Sequence, residues 1–94
     1  MDESNTLGAV WHDAAQHRFE MQGGAHLSYT PCLGFMDYDH TFVPDSMRGG
    51  GVASRLALAA FEHARGQGWR VKPSCSYLVL WLKKHPAYQD LVVG

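Results

Sequence analysis

From Ala25 to Thr30 apolar side chains at Ala25, Leu27 and Tyr29 alternate with polar ones at His26, Ser28 and Thr30, the period of two expected of a strand with one buried face. Similar segments precede it. Ala9-Val10-Trp11-His12 is a short apolar run, and Gln16 to Gln22 alternates around Phe19 and Met21, with a turn predicted at Asp13-Ala14-Ala15 and a hairpin at Gly23-Gly24. Pro31 to Gly34 predicts another turn. Phe35 to Val43 then reads as a fourth strand, with Phe35, Asp37, Asp39 and Thr41 opposing Met36, Tyr38, His40 and Phe42. Neither of those faces is wholly apolar, so part of this strand is expected to border solvent or a cleft. Residues 1–8 read as a flexible tail ahead of a single domain over residues 9–94.

The period changes after Pro44. A helix is predicted from Gly50 or Gly51 to Arg65, with a narrow polar stripe through Arg55, Glu62 and Arg65 and apolar residues over most of the rest, as in a helix lying deep against a sheet. Gly66 or Gly68 ends it, and Trp69-Arg70-Val71-Lys72 reads as a fifth strand stopping at Pro73. Such a crossover is right-handed and makes the fourth and fifth strands parallel. Ser74-Cys75-Ser76 offers caps for a second helix from Tyr77 to about His85, which Pro86 breaks before one or two further turns over Ala87 to Leu91. The expected fold class is α/β (α+β): an antiparallel four-strand meander, a helix crossover to a parallel fifth strand, and a C-terminal helix.

Composition narrows the function classes. With 94 residues, 46% of them hydrophobic, the chain suits one core rather than two. A net charge of −1 from 8 basic and 9 acidic side chains carries no footprint of a nucleic-acid binder. The polar, acidic start Met1-Asp2-Glu3-Ser4-Asn5-Thr6 is unlike a secretory signal, and no stretch has the length of a membrane span. Cys32 and Cys75 are too few for a disulfide framework, and a reduced, cytoplasmic setting is the default expectation. Cys32, His40, Cys75 and His85 are scattered without ligand spacing, so no metal site is expected.

The candidate chemistry lies in Arg48-Gly49-Gly50-Gly51-Val52-Ala53-Ser54, between the fourth strand and the long helix. The first turn of a helix leaves N–H groups without intrahelical partners and carries partial positive charge. With no Ser, Thr, Asp or Asn directly before Gly49 and with consecutive glycines, an anion can reach the main chain. A nucleoside-triphosphate loop needs a Lys at the helix entry, and none is present; the dinucleotide fingerprint fails where Ser54 replaces its third glycine. Arg48, Gly51 and Ala53 instead fit Arg/Gln-x-x-Gly-x-Gly/Ala, which resembles the pyrophosphate loop of the GNAT superfamily of acyl-CoA-dependent N-acyltransferases. A second candidate is Cys75, at a strand-to-helix junction. A thiol beside a helix N-terminus gains thiolate character and can act as a nucleophile, while a free cysteine also serves as a small buried apolar residue.

The resemblance extends from Val10 to Val92. Arg18-Phe19-Glu20, Tyr29, His40-Thr41-x-Val43, Arg48-Gly49-x-Gly51-Val52-Ala53, Leu56, Ala60, Ala64-Arg65, Gly68, Val71-x-Pro73-x-Cys75-Ser76 and His85-Pro86-x-Tyr88-x-Asp90-Leu91 occur in the order of the small single-domain branch of that superfamily. It implies binding of acetyl-CoA or coenzyme A, with the pyrophosphate on the main chain of Arg48, Gly49, Gly50, Gly51, Val52, Ala53 and Ser54. The pantetheine arm would run along Thr41, Phe42 and Val43, where the fourth and fifth strands splay. Cys75 would lie close to the thioester, as a pocket residue in direct transfer to an amine or as an acetyl carrier in a ping-pong route. His40 is the candidate general base, with a structural histidine as the alternative. Tyr88 stands where larger relatives place a tyrosine that protonates the departing thiolate, and packing explains it equally. Two departures matter: Phe42 replaces an acidic residue often found there, and the helical segment that shapes the acceptor pocket in larger relatives is missing. An open cleft for an amine acceptor, including a protein or peptide amine, is the expectation. The alternative is a non-catalytic module that binds CoA or acyl-CoA.

Overall fold

In the computed structural model, which describes residues 9–93, the alternating segments form β1 (Val10–Asp13), β2 (Arg18–Met21), β3 (His26–Cys32) and β4 (Phe35–Phe42). A 310 turn over Asp45–Met47 leads to α1 (Val52–Gln67), which crosses to β5 (Val71–Pro73); α2 (Ser76–Lys84) and a 310 turn over Pro86–Leu91 follow. The tail expected at residues 1–8 lies outside the described residues. The strands join in one five-stranded sheet in the order β1-β2-β3-β4-β5. The first four pair antiparallel and β4 pairs with β5 in parallel, as the sequence predicts.

Several boundaries move, each for a local reason. β3 runs through Pro31 and Cys32, which oppose Met36 and Phe35, so the turn contracts to Leu33-Gly34 with Gly34 at φ 88°. Pro31 is tolerated because the Met36 N–H points the other way, to the Arg70 carbonyl at 2.8 Å, leaving the Pro31/Met36 pair without ladder bonds to lose. Gly66 sits inside α1. Of the two ends the sequence offers, the helix takes Gly68, whose φ of 71° lets its N–H reach the carbonyls of Ala64 and Arg65. Trp69 and Arg70 precede β5, and Pro73 belongs to it, opposite Tyr38.

The core lies between one face of the sheet and α1. Phe19, Met21, Leu27, Tyr29 and Tyr38 from the strands meet Leu56, Ala57, Ala60, Phe61 and Ala64, while Leu78, Trp81 and Leu82 of α2 close the side. The Tyr38 phenol, buried among them, donates to the Ala60 carbonyl at 2.8 Å. Arg18, Glu20, His26, Ser28, Thr30 and Asp37 alternate onto the other face. β3 and β4 slip register there: Ser28 opposes His40 and Tyr29 opposes Tyr38, so Asp39 is an extra, bulged residue. Its carboxylate accepts hydrogen bonds from the Ser28 and Thr30 hydroxyls at 2.9 and 2.6 Å.

One histidine cluster ties β1 to this core. The His12 ring stacks on Phe19 with centroids 4.6 Å apart, lies 4.4 Å from His63, and has Nε2 2.6 Å from the Tyr29 hydroxyl. Burial, and next the nearby His63, hold the His12 pKa below its ordinary value. The unfolded chain therefore binds a proton at His12 before the folded one does, and this contribution to stability is complete above about pH 6.5. It is lost as the pH falls below that value toward the depressed folded one. Urea midpoints measured from pH 7.5 to 5 should fall with acid in the wild type, and the slope should be shallower in His12→Gln. A second expectation concerns the entry to α1, where Gly51 has φ 73° and Gly50 does not have positive φ. Gly51→Ala should cost about 1–2 kcal/mol from left-handed strain. At Gly50 an added Cβ meets nothing within 4 Å, so Gly50→Ala should leave stability unchanged or raise it by up to about 1 kcal/mol in the same titration.

Candidate active site

After Phe42 the chain leaves the sheet, and the Asp45–Met47 turn reverses it toward α1 through N–H bonds from Met47 to Pro44 O (2.9 Å) and from Arg48 to Asp45 O (3.3 Å). The Arg48 guanidinium straps this loop to the strand end: its Nε donates to the Val43 carbonyl and pairs with Asp45, each at 3.3 Å. Gly49 and Gly51 both have positive φ, at 86° and 73°, which aims consecutive amides into the bend. The first bond into the helix is Arg55 N–H to Gly51 O, 3.0 Å. Among the described residues, the N–H groups of Gly49, Gly50, Gly51, Val52, Ala53 and Ser54 have no protein acceptor, and no side chain caps the helix. No acid stands in its first turn.

These amides border a hollow of about 190 Å³ lined by Val43, Met47, Arg48, Gly49, Gly51, Val52, Ala53, Ser54 and Tyr77. Added Cβ atoms at Gly49, Gly50 and Gly51 would meet no protein atom, so the loop offers open main chain to a ligand. Dipole, amides and Arg48 all favour an anion, and the residues present fit a diphosphate. Tyr77 is a lining residue that sequence reasoning missed. Its only signal was its place at the start of α2, directly after Cys75 and Ser76.

β5 leaves β4 next to this hollow. Pairing between them stops at Tyr38 and Pro73, and the Cys75 N–H closes the ladder on the Tyr38 carbonyl at 3.1 Å. Beyond that point Thr41 and Phe42 keep register with β3 alone. Cys75, half-buried at the N-cap of α2, turns its thiol toward Thr41, with S–H donating to Oγ1 at 3.6 Å. Thr41 opposes the buried Leu27 and so shares the helix-covered face with Cys75. The structure thus brings Thr41 and Cys75 together at the strand edge.

His40 is not brought to them. It opposes Ser28 on the face turned away from α1, exposed, with its ring 6.3 Å from His26; Phe42 lies on that face too, 5.4 Å from His26. Candidate base and candidate nucleophile therefore stand on opposite faces of β4. Asp37 shares the face of His40, and its Oδ1 has no hydrogen-bond partner among the described residues. Tyr88 lies apart from the loop altogether. The turn after Pro86 folds it against the second half of α1, where its hydroxyl donates to Glu62 and the Arg65 guanidinium lies 5.5 Å from its ring centre. Glu62 is about 12 Å along the helix from Ser54. The hydrogen bond to Glu62, with burial second, raises the Tyr88 phenol above its ordinary pKa.

Comparison with known proteins identifies the family and the fold. Residues 16–91 match the family model of the GCN5-related N-acetyltransferases. Protein NATD1 of Xenopus tropicalis is 30% identical over 97 residues, covering 97% of this chain and 88% of that protein. Protein NATD1 of Bos taurus is 38% identical over 56 residues, 60% of this chain and half of the bovine one. The NMR solution structure of a GCN5-like protein from Staphylococcus aureus superposes with a TM-score of 0.71 at 28% identity, over 94% of this chain and 90% of that one. Matched over most of its length and sharing the fold, this chain belongs to the GCN5-related N-acetyltransferase family.

Proposed function

We propose that this protein binds acetyl-CoA and transfers its acetyl group to an amine acceptor. The observation that carries the reading is the run of unpartnered amides from Gly49 to Ser54 around a hollow of fitting size. In this reading the main chain of Arg48–Ser54 holds the diphosphate, and the free edge of Thr41, Phe42 and Val43 receives the amide-bearing arm. The substrate supplies an activated acetyl thioester, and Thr41 and Cys75 line the place it reaches. The acceptor approaches from the sheet face turned away from α1, where among the described residues no element packs and there is room for a large amine, including one on a protein or peptide. His40 takes the proton that the amine loses as its nitrogen bonds to the acetyl carbon and the carbon–sulfur bond breaks. Cys75 serves as a wall of the pocket in this direct route.

The position of His40 across the strand from Cys75 favours a second reading, a module that binds acyl-CoA without transferring the acyl group. CoA release from acetyl-CoA, measured with a panel of amines, separates the two. Transfer predicts catalysed release by the wild type, a fall of about 100-fold or more in His40→Ala, and retained turnover in Cys75→Ala. Release at the uncatalysed rate by all three proteins, with binding intact, would leave the module reading standing.

A charge placed in the first turn tests the anion site separately from the fold. Ala53→Glu puts an acid at the helix N-terminus, which stabilises the helix by about 0.3–1 kcal/mol. The same carboxylate repels a diphosphate. Calorimetric titration with acetyl-CoA should therefore show affinity weakened at least tenfold, on the order of 1.4 kcal/mol, in a protein whose urea midpoint is unchanged or raised.

A further inference from the structure

A second hollow, of about 300 Å³, begins where the loop hollow ends, and the two share Ser54 and Tyr77. Tyr77, Trp81 and Lys84 recur at i, i+4 and i+7, so one face of α2 lines it opposite the first turn of α1. Its floor is held in place: the Trp81 indole N–H donates to Ser54 Oγ at 3.0 Å, Phe61 stacks on the indole at 5.4 Å and His85 at 3.9 Å. With the indole covered, the apolar surface offered to a ligand is that of Tyr77 and of Leu80, which is 59% exposed. At the far end stands Lys84, which pairs with no acid among the described residues, and no acidic side chain lines the hollow.

The groove thus runs from a diphosphate-sized cradle, past an apolar wall, to a lone cation about 10 Å along α2 from Tyr77. Resting on the reading that the chain binds an acyl-CoA, we propose that this groove receives the purine nucleoside 3′-phosphate end of the donor, with Leu80 and Tyr77 covering the purine and Lys84 pairing with the 3′-phosphate. Lys83 provides the internal control. It occupies the same last turn of α2, where a cation complements the helix dipole equally well, and it does not line the groove.

The test is calorimetric titration of the full chain with CoA and with 3′-dephospho-CoA at one fixed salt concentration. The wild type should bind CoA about tenfold more tightly than the dephospho form, the size of one charge-assisted hydrogen bond at an exposed site. Lys84→Gln should bring CoA down to the level of the dephospho compound and leave the latter unchanged, and Lys83→Gln should keep the wild-type ratio. Equal affinities in the wild type, a ratio that survives Lys84→Gln, or a ratio lost equally in Lys83→Gln would overturn the assignment. If neither compound bound, the acyl-CoA reading itself would fall and the groove's role with it; binding of the dephospho form is what tells the two failures apart.

Discussion

Close packing of α1 on the sheet sets the position of everything at the candidate site. Ala57, Ala60 and Ala64 present almost no side chain between helix and sheet, and the Tyr38 phenol bridges the gap to the Ala60 carbonyl. Larger residues at those positions would lift the helix and pull that donor away from its acceptor. Because the Asp45–Met47 turn and the Arg48 bond to the Val43 carbonyl fold the connection back on itself, a helix held at this depth has its N-terminus beside the end of β4. Unpartnered amides, which every helix start possesses, are thereby placed within reach of a strand edge that β5 has vacated.

The second constraint is the bulge at Asp39. One extra residue between Tyr38 and His40 changes which side chains share a face: Tyr38 and Thr41 both stay on the helix side, while Asp39 and His40 both go to the other. Strict alternation would have put His40 with Tyr38. The bulge thus puts Thr41 and Cys75 on one side of β4 and His40 with its acidic neighbours on the other, which in the proposed reaction lets acceptor and donor approach from different sides. Tyr88 takes no part in either group. Its hydrogen bond to Glu62 and its contact with Arg65 hold the last turn against α1, which in turn seats Trp81 beneath the groove next to Ser54.

Strand order, the parallel crossover and the glycine loop were legible because each rests on local chemistry: alternation in the strands, left-handed glycines at the turns, a helical period after Pro44. Pro31 misled because the N–H that proline lacks is not needed at its position, where the N–H of its partner Met36 bonds to the Arg70 carbonyl instead, and Pro73 stands as the last residue of β5 rather than just beyond it. Between Gly66 and Gly68, the two helix ends the sequence left open, the choice falls on Gly68, whose N–H reaches the carbonyls of Ala64 and Arg65. Tyr77 was missed for a different reason. Its membership of the loop hollow depends on how α2 docks across α1, which no window of sequence around Tyr77 contains.

By itself, then, the sequence determined the kind of fold, the meander and its crossover, and the uncapped glycine loop at Arg48–Ser54, since periodicity and glycine conformation act over a few residues. Only the tertiary structure decided which side chains meet. A single inserted residue in β4 and the docking of α2 on α1 put Cys75 beside Thr41, His40 on the far face, Tyr88 on Glu62 and Tyr77 in the loop hollow. Such encounters are settled by register and by packing between elements distant in the chain, where the identity of a residue says nothing of its neighbour.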